Sequence, residues 1–193
     1  MSDPVDTPRR ASGRRTLVLL ALVCAAPIIA SYVAYYWLRP AAHVNYGELE
    51  ARPAPEIAGV GDDGAPWRLS SLRGRWILLI PGDIACAAPC ERALYATRQA
   101  RTIQNREQER VVRVLLRPIG AAPLDATRLA PHPGLLSVRA DPAQWVMLPE
   151  SGDAGSIYLI DPLWYLVLRY PADPDIKRMA EDLERLLRAS RIG

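Results

Sequence analysis

The chain has 193 residues, 50% hydrophobic and 23% charged, an ordinary balance for a globular domain. Its formal net charge is +3, and arginines near the N-terminus supply much of it. The remainder is nearly neutral, which leaves no basic stripe for a nucleic acid and no acidic tail.

Residues 1–15 read as a cytoplasmic tail and 16–38 as a transmembrane helix. The second stretch carries no charge, and about 20 apolar residues span a hydrocarbon core roughly 30 Å thick. Arg9, Arg10, Arg14 and Arg15 precede it. Such a cluster stays in the cytoplasm, so the C-terminal side is predicted to be translocated. Tyr32, Tyr35, Tyr36 and Trp37 crowd the far end, where amphipathic aromatics favour the interface. That bulky end lacks the small-residue site of a cleaved signal peptide, so the segment reads as an anchor. Cys24, within it, reads as a small apolar residue.

Residues 39–56, with Pro40, Pro53 and Pro55, read as an extended linker, and 57–190 as the globular domain. A turn is expected at Gly61, Asp62, Asp63 and Gly64, and a short strand at Trp67, Arg68 and Leu69. The apolar run 76–80 (WILLI), bounded by Gly74 and Pro81, predicts a strand buried on both faces. A helix follows to about Arg110, with Cys90, Ala93, Leu94 and Thr97 on one face. Residues 111–116 form the next strand, giving a βαβ unit with parallel strands. The proline-rich middle offers a strand at 135–138. Residues 157–160 and 165–168 are predicted to pair as a hairpin across Asp161 and Pro162. Asp173 with Pro174 reads as a helix start. From there Ile176, Met179, Ala180, Leu183, Leu186 and Leu187 recur at helical spacing.

The chemistry concentrates at Cys86 and Cys90, in the sequence CAAPC between a buried strand and a helix. A thiol at a helix N-terminus has a lowered pKa, because unpaired N–H groups favour thiolate. Thiolate is both the nucleophile of disulfide exchange and a ligand for soft metals. Residues four apart on one helical face lie within disulfide reach. The pair can therefore form a disulfide or hold one metal ion. A purely stabilising bridge is the plainer alternative, although so short a loop constrains the unfolded chain little. His43 and His132 read as exposed histidines, and Met147 as core beside Trp145 and Val146, or else as a thioether ligand for Cu(I).

The order strand, CxxxC loop, helix, strand, late hairpin and C-terminal helix is similar to thioredoxin-like domains. More narrowly, the chain resembles the Sco/SenC proteins, membrane-anchored factors that help assemble the copper site of cytochrome c oxidase. Residues 67–74 leading into 76–80, CAAPC at 86–90, and 157–162 (IYLIDP) carry the resemblance, which covers roughly 53–189. It implies an α/β, thioredoxin-like domain on a single transmembrane helix, facing the periplasm from the inner membrane. It also implies copper binding, thiol–disulfide chemistry, or both. The sequence departs from the family at Asp153, near the place of the family's copper-binding histidine, and at Glu91, where proline is usual. A hard carboxylate replaces imidazole poorly on a soft metal. The leading expectation is thiol–disulfide exchange, with Cys86 attacking and Cys90 resolving, on a cytochrome c oxidase subunit or a copper chaperone. Weak Cu(I) transfer by the two cysteines and a non-catalytic assembly scaffold are the alternatives.

Overall fold

The computed structural model describes residues 11–37, 45–149, 155–190 and 192. His43 and Asp153 lie outside the described residues, as do Arg9, Arg10 and the start of the expected linker, 39–44. The chain divides into two compact units between Val44 and Asn45.

In the first unit one helix, α1 (Ala11–Trp37), runs through Pro27. Within it Gly13–Val33, 21 residues of mean hydropathy 2.3, is long and apolar enough to cross a membrane. Leu17, Leu20, Val23 and Ile28 are exposed in this unit. A helix apolar on every side suits lipid, not a single packed interface.

In the second unit the apolar runs become strands of one sheet. Its strands are β1 (Glu48–Pro53), β2 (Ala58–Gly61), β3 (Pro66–Arg68), β4 (Trp76–Pro81), β5 (Val111–Pro118), β6 (Leu135–Ala140), β7 (Ile157–Ile160) and β8 (Tyr165–Tyr170). Their spatial order is β1-β8-β7-β4-β5-β6-β2-β3. Strands β4, β5 and β6 are parallel neighbours. The β7–β8 hairpin adds antiparallel to β4, with Ile77 opposite Ile160 and Leu79 opposite Tyr158. The parallel pair and the hairpin are as the sequence predicts.

Alternation along β4 sorts the core into two layers. Trp76, Leu78 and Ile80 face the side covered by α2 (Ala88–Ile103) and α4 (Ile176–Ala189), where they join Ala93, Leu94, Met179 and Leu183. Ile77 and Leu79 face the other side, with Ile57, Leu69, Val114, Leu148 and Tyr158. That second face is closed by loops and by short 3-10 turns at Leu69–Leu72 and Pro142–Trp145. Each fully buried aliphatic side chain contributes about 1.5–3 kcal/mol of hydrophobic stabilisation.

Four local expectations are corrected. The second half of the expected linker is β1, held antiparallel on β8 at the sheet edge. Its start is pinned by the buried Asp182 of α4, which accepts from the backbone N–H of Tyr46 (2.8 Å) and Gly47 (2.9 Å). Burial, with the Asp182 charge beside it, pushes the Tyr170 hydroxyl pKa upward. The helix α2 ends at Ile103, and Asn105, at positive φ, opens a 3-10 turn that runs to Arg110. The last helix is capped by Asp175, whose carboxylate accepts from Arg178 N–H, two residues beyond the expected Asp173. Met147 and Val146 are exposed, and only Trp145 of that trio enters the core.

Candidate redox site

Cys86 and Cys90 are joined in a disulfide with their Cα atoms 5.1 Å apart. They do not share a helical face as expected. Cys86 precedes the helix and has φ +47°, while Cys90 sits in its first turn. Both are buried, at 2% and 1% exposure, in the core layer beneath α2 and α4. The helix start is prepared locally. Pro89 stands in the first turn, where its missing N–H is no loss, and the Asp83 carboxylate accepts from Ala87 N–H at 3.0 Å. A Cβ at Gly82 would crowd the Cys90 sulfur and the end of the Leu115 side chain, each at 3.1 Å. Gly155, at φ +90°, brings the chain before β7 against this turn. Its absent Cβ would lie 2.8 Å from the Pro89 carbonyl oxygen.

Arginines hold the loop in its left-handed bend. Arg117 donates to the Ile84 carbonyl at 2.8 Å and to the Ala122 carbonyl at 2.7 Å. Arg128, from the one-turn helix α3 (Ala126–Leu129), donates to the Ala85 carbonyl (2.9 Å), the Cys86 carbonyl (3.1 Å) and Glu91 (3.0 Å). Three consecutive carbonyls of the loop are thus met by guanidinium groups.

Beside the disulfide lies a cleft of about 290 Å³. Cys86 forms part of its wall together with Glu91, Tyr95, Arg98, Arg128 and His132, and Cys90 does not. His132 is half-buried, with Nδ1 enclosed and without a hydrogen-bond partner. Burial and the nearby Arg113 and Arg98 charges lower its pKa, with Glu91 opposing, so it is neutral at neutral pH. Arg113 of β5 is 1% exposed. Its guanidinium donates to the carbonyls of Leu94 (3.5 Å) and Pro133 (3.0 Å), and its Nε is unpaired. Burial, with Arg101 and Arg98 near, pulls its pKa down to about 10.

Of the residues that the sequence marks as candidates, the fold brings Cys86 and His132 to one cleft, with Cys90 bonded directly behind. Met147 is exposed and lines none of it, and Cys24 belongs to α1. Sequence reasoning missed Arg113, Arg117 and Arg128. A signal existed for two of them: Arg113 and Arg117 stand four apart in the apolar strand VVRVLLRP, on the same face as Leu115. Among the described residues, no group of three or more His, Cys, Asp or Glu side chains could hold a metal ion.

The fold and the cysteine pair define a thioredoxin-like domain with a CxxxC disulfide. The chain belongs to the family of transmembrane-like, thioredoxin-like, C-terminal domains, whose model matches residues 76–190. Sco proteins are among its structural neighbours. Yeast Sco1 with copper bound is similar at a TM-score of 0.60 and 14% identity, over 74% of this chain and 96% of that one. Apo Sco1 from Thermus thermophilus is similar at 0.58 and 23%, over 77% and 98%. BsSco, described as a member of the Sco family of cytochrome c oxidase assembly proteins with a disulfide switch, is similar at 0.56 and 14%, over 75% and 98%. At these identities the likeness concerns the fold. No curated protein matches the sequence.

Proposed function

We propose that this protein is a membrane-anchored thiol–disulfide exchange factor that acts in cytochrome c oxidase assembly. Its domain faces the periplasm of the inner membrane, an orientation supported by Arg14 and Arg15 at the cytoplasmic end of α1. Its substrate is an oxidised cysteine pair on an oxidase subunit or a copper chaperone.

The observation that carries the reading is the asymmetry of the pair: Cys86 lines the cleft and Cys90 lies behind it. In the reduced protein the Cys86 thiolate attacks one sulfur of the partner disulfide. The other partner sulfur leaves as a thiolate and takes up a proton. The Cys90 thiolate then attacks the Cys86 sulfur of the mixed disulfide, closing Cys86–Cys90 and releasing the second partner thiol. Two electrons pass to the partner, which gains a dithiol as this protein loses one. A dithiol reductant on the same side of the membrane restores the starting state. A helix N-terminus favours a thiolate, and Arg128 fixes the Cys86 carbonyl beside it. Trapping tests the assignment. With a disulfide-bonded peptide, Cys90→Ser is expected to accumulate a mixed disulfide through Cys86, and Cys86→Ser to form none. Equal trapping by both variants would refute the roles.

A second reading is transfer of Cu(I), as cargo, by the two thiolates. The adjacency of the sulfurs and the copper-bound state of the yeast neighbour favour it. Cysteine-dependent uptake of one Cu(I) by the reduced full chain is its test. The burial of both sulfurs supports the scaffold alternative, which predicts a disulfide that resists reduction in the native state.

A further inference from the structure

The cleft beside Cys86 has a charge balance that the cysteine chemistry alone does not require. Arg98 and Arg128 stand in its wall, and the buried Arg113 bonds the carbonyls of Leu94, a wall residue, and Pro133, next to His132. Glu91 is the one carboxylate among the residues that form the wall, and it is already paired with Arg128. His132 is neutral there. In the wall two guanidinium groups face one carboxylate, and Arg113, buried behind Leu94, adds a further positive charge.

Arg113 is the unusual member. A buried charge is normally paired, because leaving water without a counter-ion costs several kcal/mol. Arg113 forms no ion pair with a carboxylate among the described residues, and its Nε has no acceptor. The unsatisfied Nδ1 of His132 adds a second polar atom without a partner at the same place. A wall with more guanidinium than carboxylate groups, backed by a buried guanidinium that lacks a counter-ion, attracts an anion. The cleft also has apolar lining, from Leu94, Leu124 and Leu135. Exposed Ile84 and Tyr95 flank the disulfide and offer contacts to a docked chain. The size, about 290 Å³, suits one side chain and no large cofactor.

We infer that this cleft is a specificity site for the exchange partner and receives an acidic side chain, aspartate or glutamate, placed next to the partner's disulfide. The inference rests on the exchange reading above. The carboxylate enters the cleft between Arg98 and Arg128, with the Arg113 charge behind the wall, and thereby aligns the neighbouring partner sulfur with Cys86. Charge complementarity of this kind selects partners and speeds encounter.

The experiment uses the full chain in uncharged detergent, reduced and freed of reductant. Three disulfide-bonded peptides, identical except for glutamate, glutamine or lysine flanking one cysteine, are reacted with it. Released peptide thiol is followed by mass spectrometry after acid quench. The glutamate peptide is expected to react about tenfold faster than the lysine peptide at low salt, with the gap narrowing to about twofold at 1 M salt. Arg98→Gln and Arg113→Met should each bring the ratio close to one. Arg188→Gln, which removes a charge from an exposed pair on α4, should leave it intact. Equal rates for the three peptides would overturn the specificity site and leave exchange standing. A preference that survives both Arg98→Gln and Arg113→Met would also overturn it, by placing the selecting charge elsewhere. No reaction with any peptide would refute the exchange reading itself.

Discussion

Replacing Arg113 by methionine is expected to stabilise the protein. The side chain is 1% exposed and sits between β5 and α2, where a methionine of similar length fills the same space. Burial pulls its pKa from the ordinary guanidinium range down to about 10 on folding. At about 1.4 kcal/mol per unit, holding the charged form in the fold costs about 3 kcal/mol. Below pH 10 the guanidinium is protonated in both folded and unfolded chains, so the whole cost is present at neutral pH. It is relieved only as pH rises above about 10. Against this, the substitution forfeits two hydrogen bonds to carbonyls, of which the Leu94 contact is long at 3.5 Å. That loss is worth about 1–2 kcal/mol. The net gain is about 1–2 kcal/mol, or a rise in Tm of about 3–6 °C for a domain of this size. Thermal unfolding of the oxidised full chain, followed by near-UV circular dichroism at pH 7.5, reads it directly. A fall in Tm of more than about 5 °C would show that the guanidinium is favourably compensated in the fold, and the account of it as an uncompensated charge would be refuted.

Gly155→Ala should lower stability by about 1–3 kcal/mol, because it forces a Cβ into the left-handed region and against a backbone oxygen that cannot rotate away. A urea titration measures it, and an unchanged midpoint would mean that the segment before β7 shifts freely relative to Pro89. The lowered His132 pKa sets a direction for acid sensitivity. The unfolded chain takes up that proton more readily, so this contribution to stability is complete above about pH 6.5 and is lost as pH falls. In urea midpoints collected from pH 7.5 to 5, His132→Gln should show a shallower decline than the parent. Parallel declines would exclude His132 as the source.

The parts of the fold legible in the sequence are those decided by short-range pattern. The run WILLI could be placed because a continuous apolar stretch between Gly74 and Pro81 has few homes except a covered strand. The hairpin followed from Asp161, which accepts from Tyr165 N–H in the structure at 2.8 Å. The residues ELEARP gave no such sign, because β1 is an edge strand whose burial pattern is nearly all exposed. The helix cap was displaced because Asp173 and Asp175 are equivalent as local signals, and only the course of the chain after β8 separates them. Cys86 and Cys90 were legible as a pair by spacing and context. Their surroundings were not, since Arg128 reaches the Cys86 carbonyl from 42 residues away and His132 comes to the cleft from another loop. Contacts at that separation leave no periodic trace. Arg113 and Arg117 did leave a sign that went unread, being charges inside an apolar strand where the pattern calls for none.

The carbonyls of Ile84, Ala85 and Cys86 are gripped from outside the five-residue ring that the disulfide closes. Opening the S–S bond cuts one covalent tie and none of these three holds. The expected consequence is a rigid mount: the two oxidation states share one backbone course, and amide spectra of the two forms should differ chiefly over residues 86–90. Ring closure then orders little beyond the cysteine side chains, so its entropic cost is small. A partner would meet the same surface before and after the exchange. Its departure would be timed by rupture of the mixed disulfide and not by a change of shape.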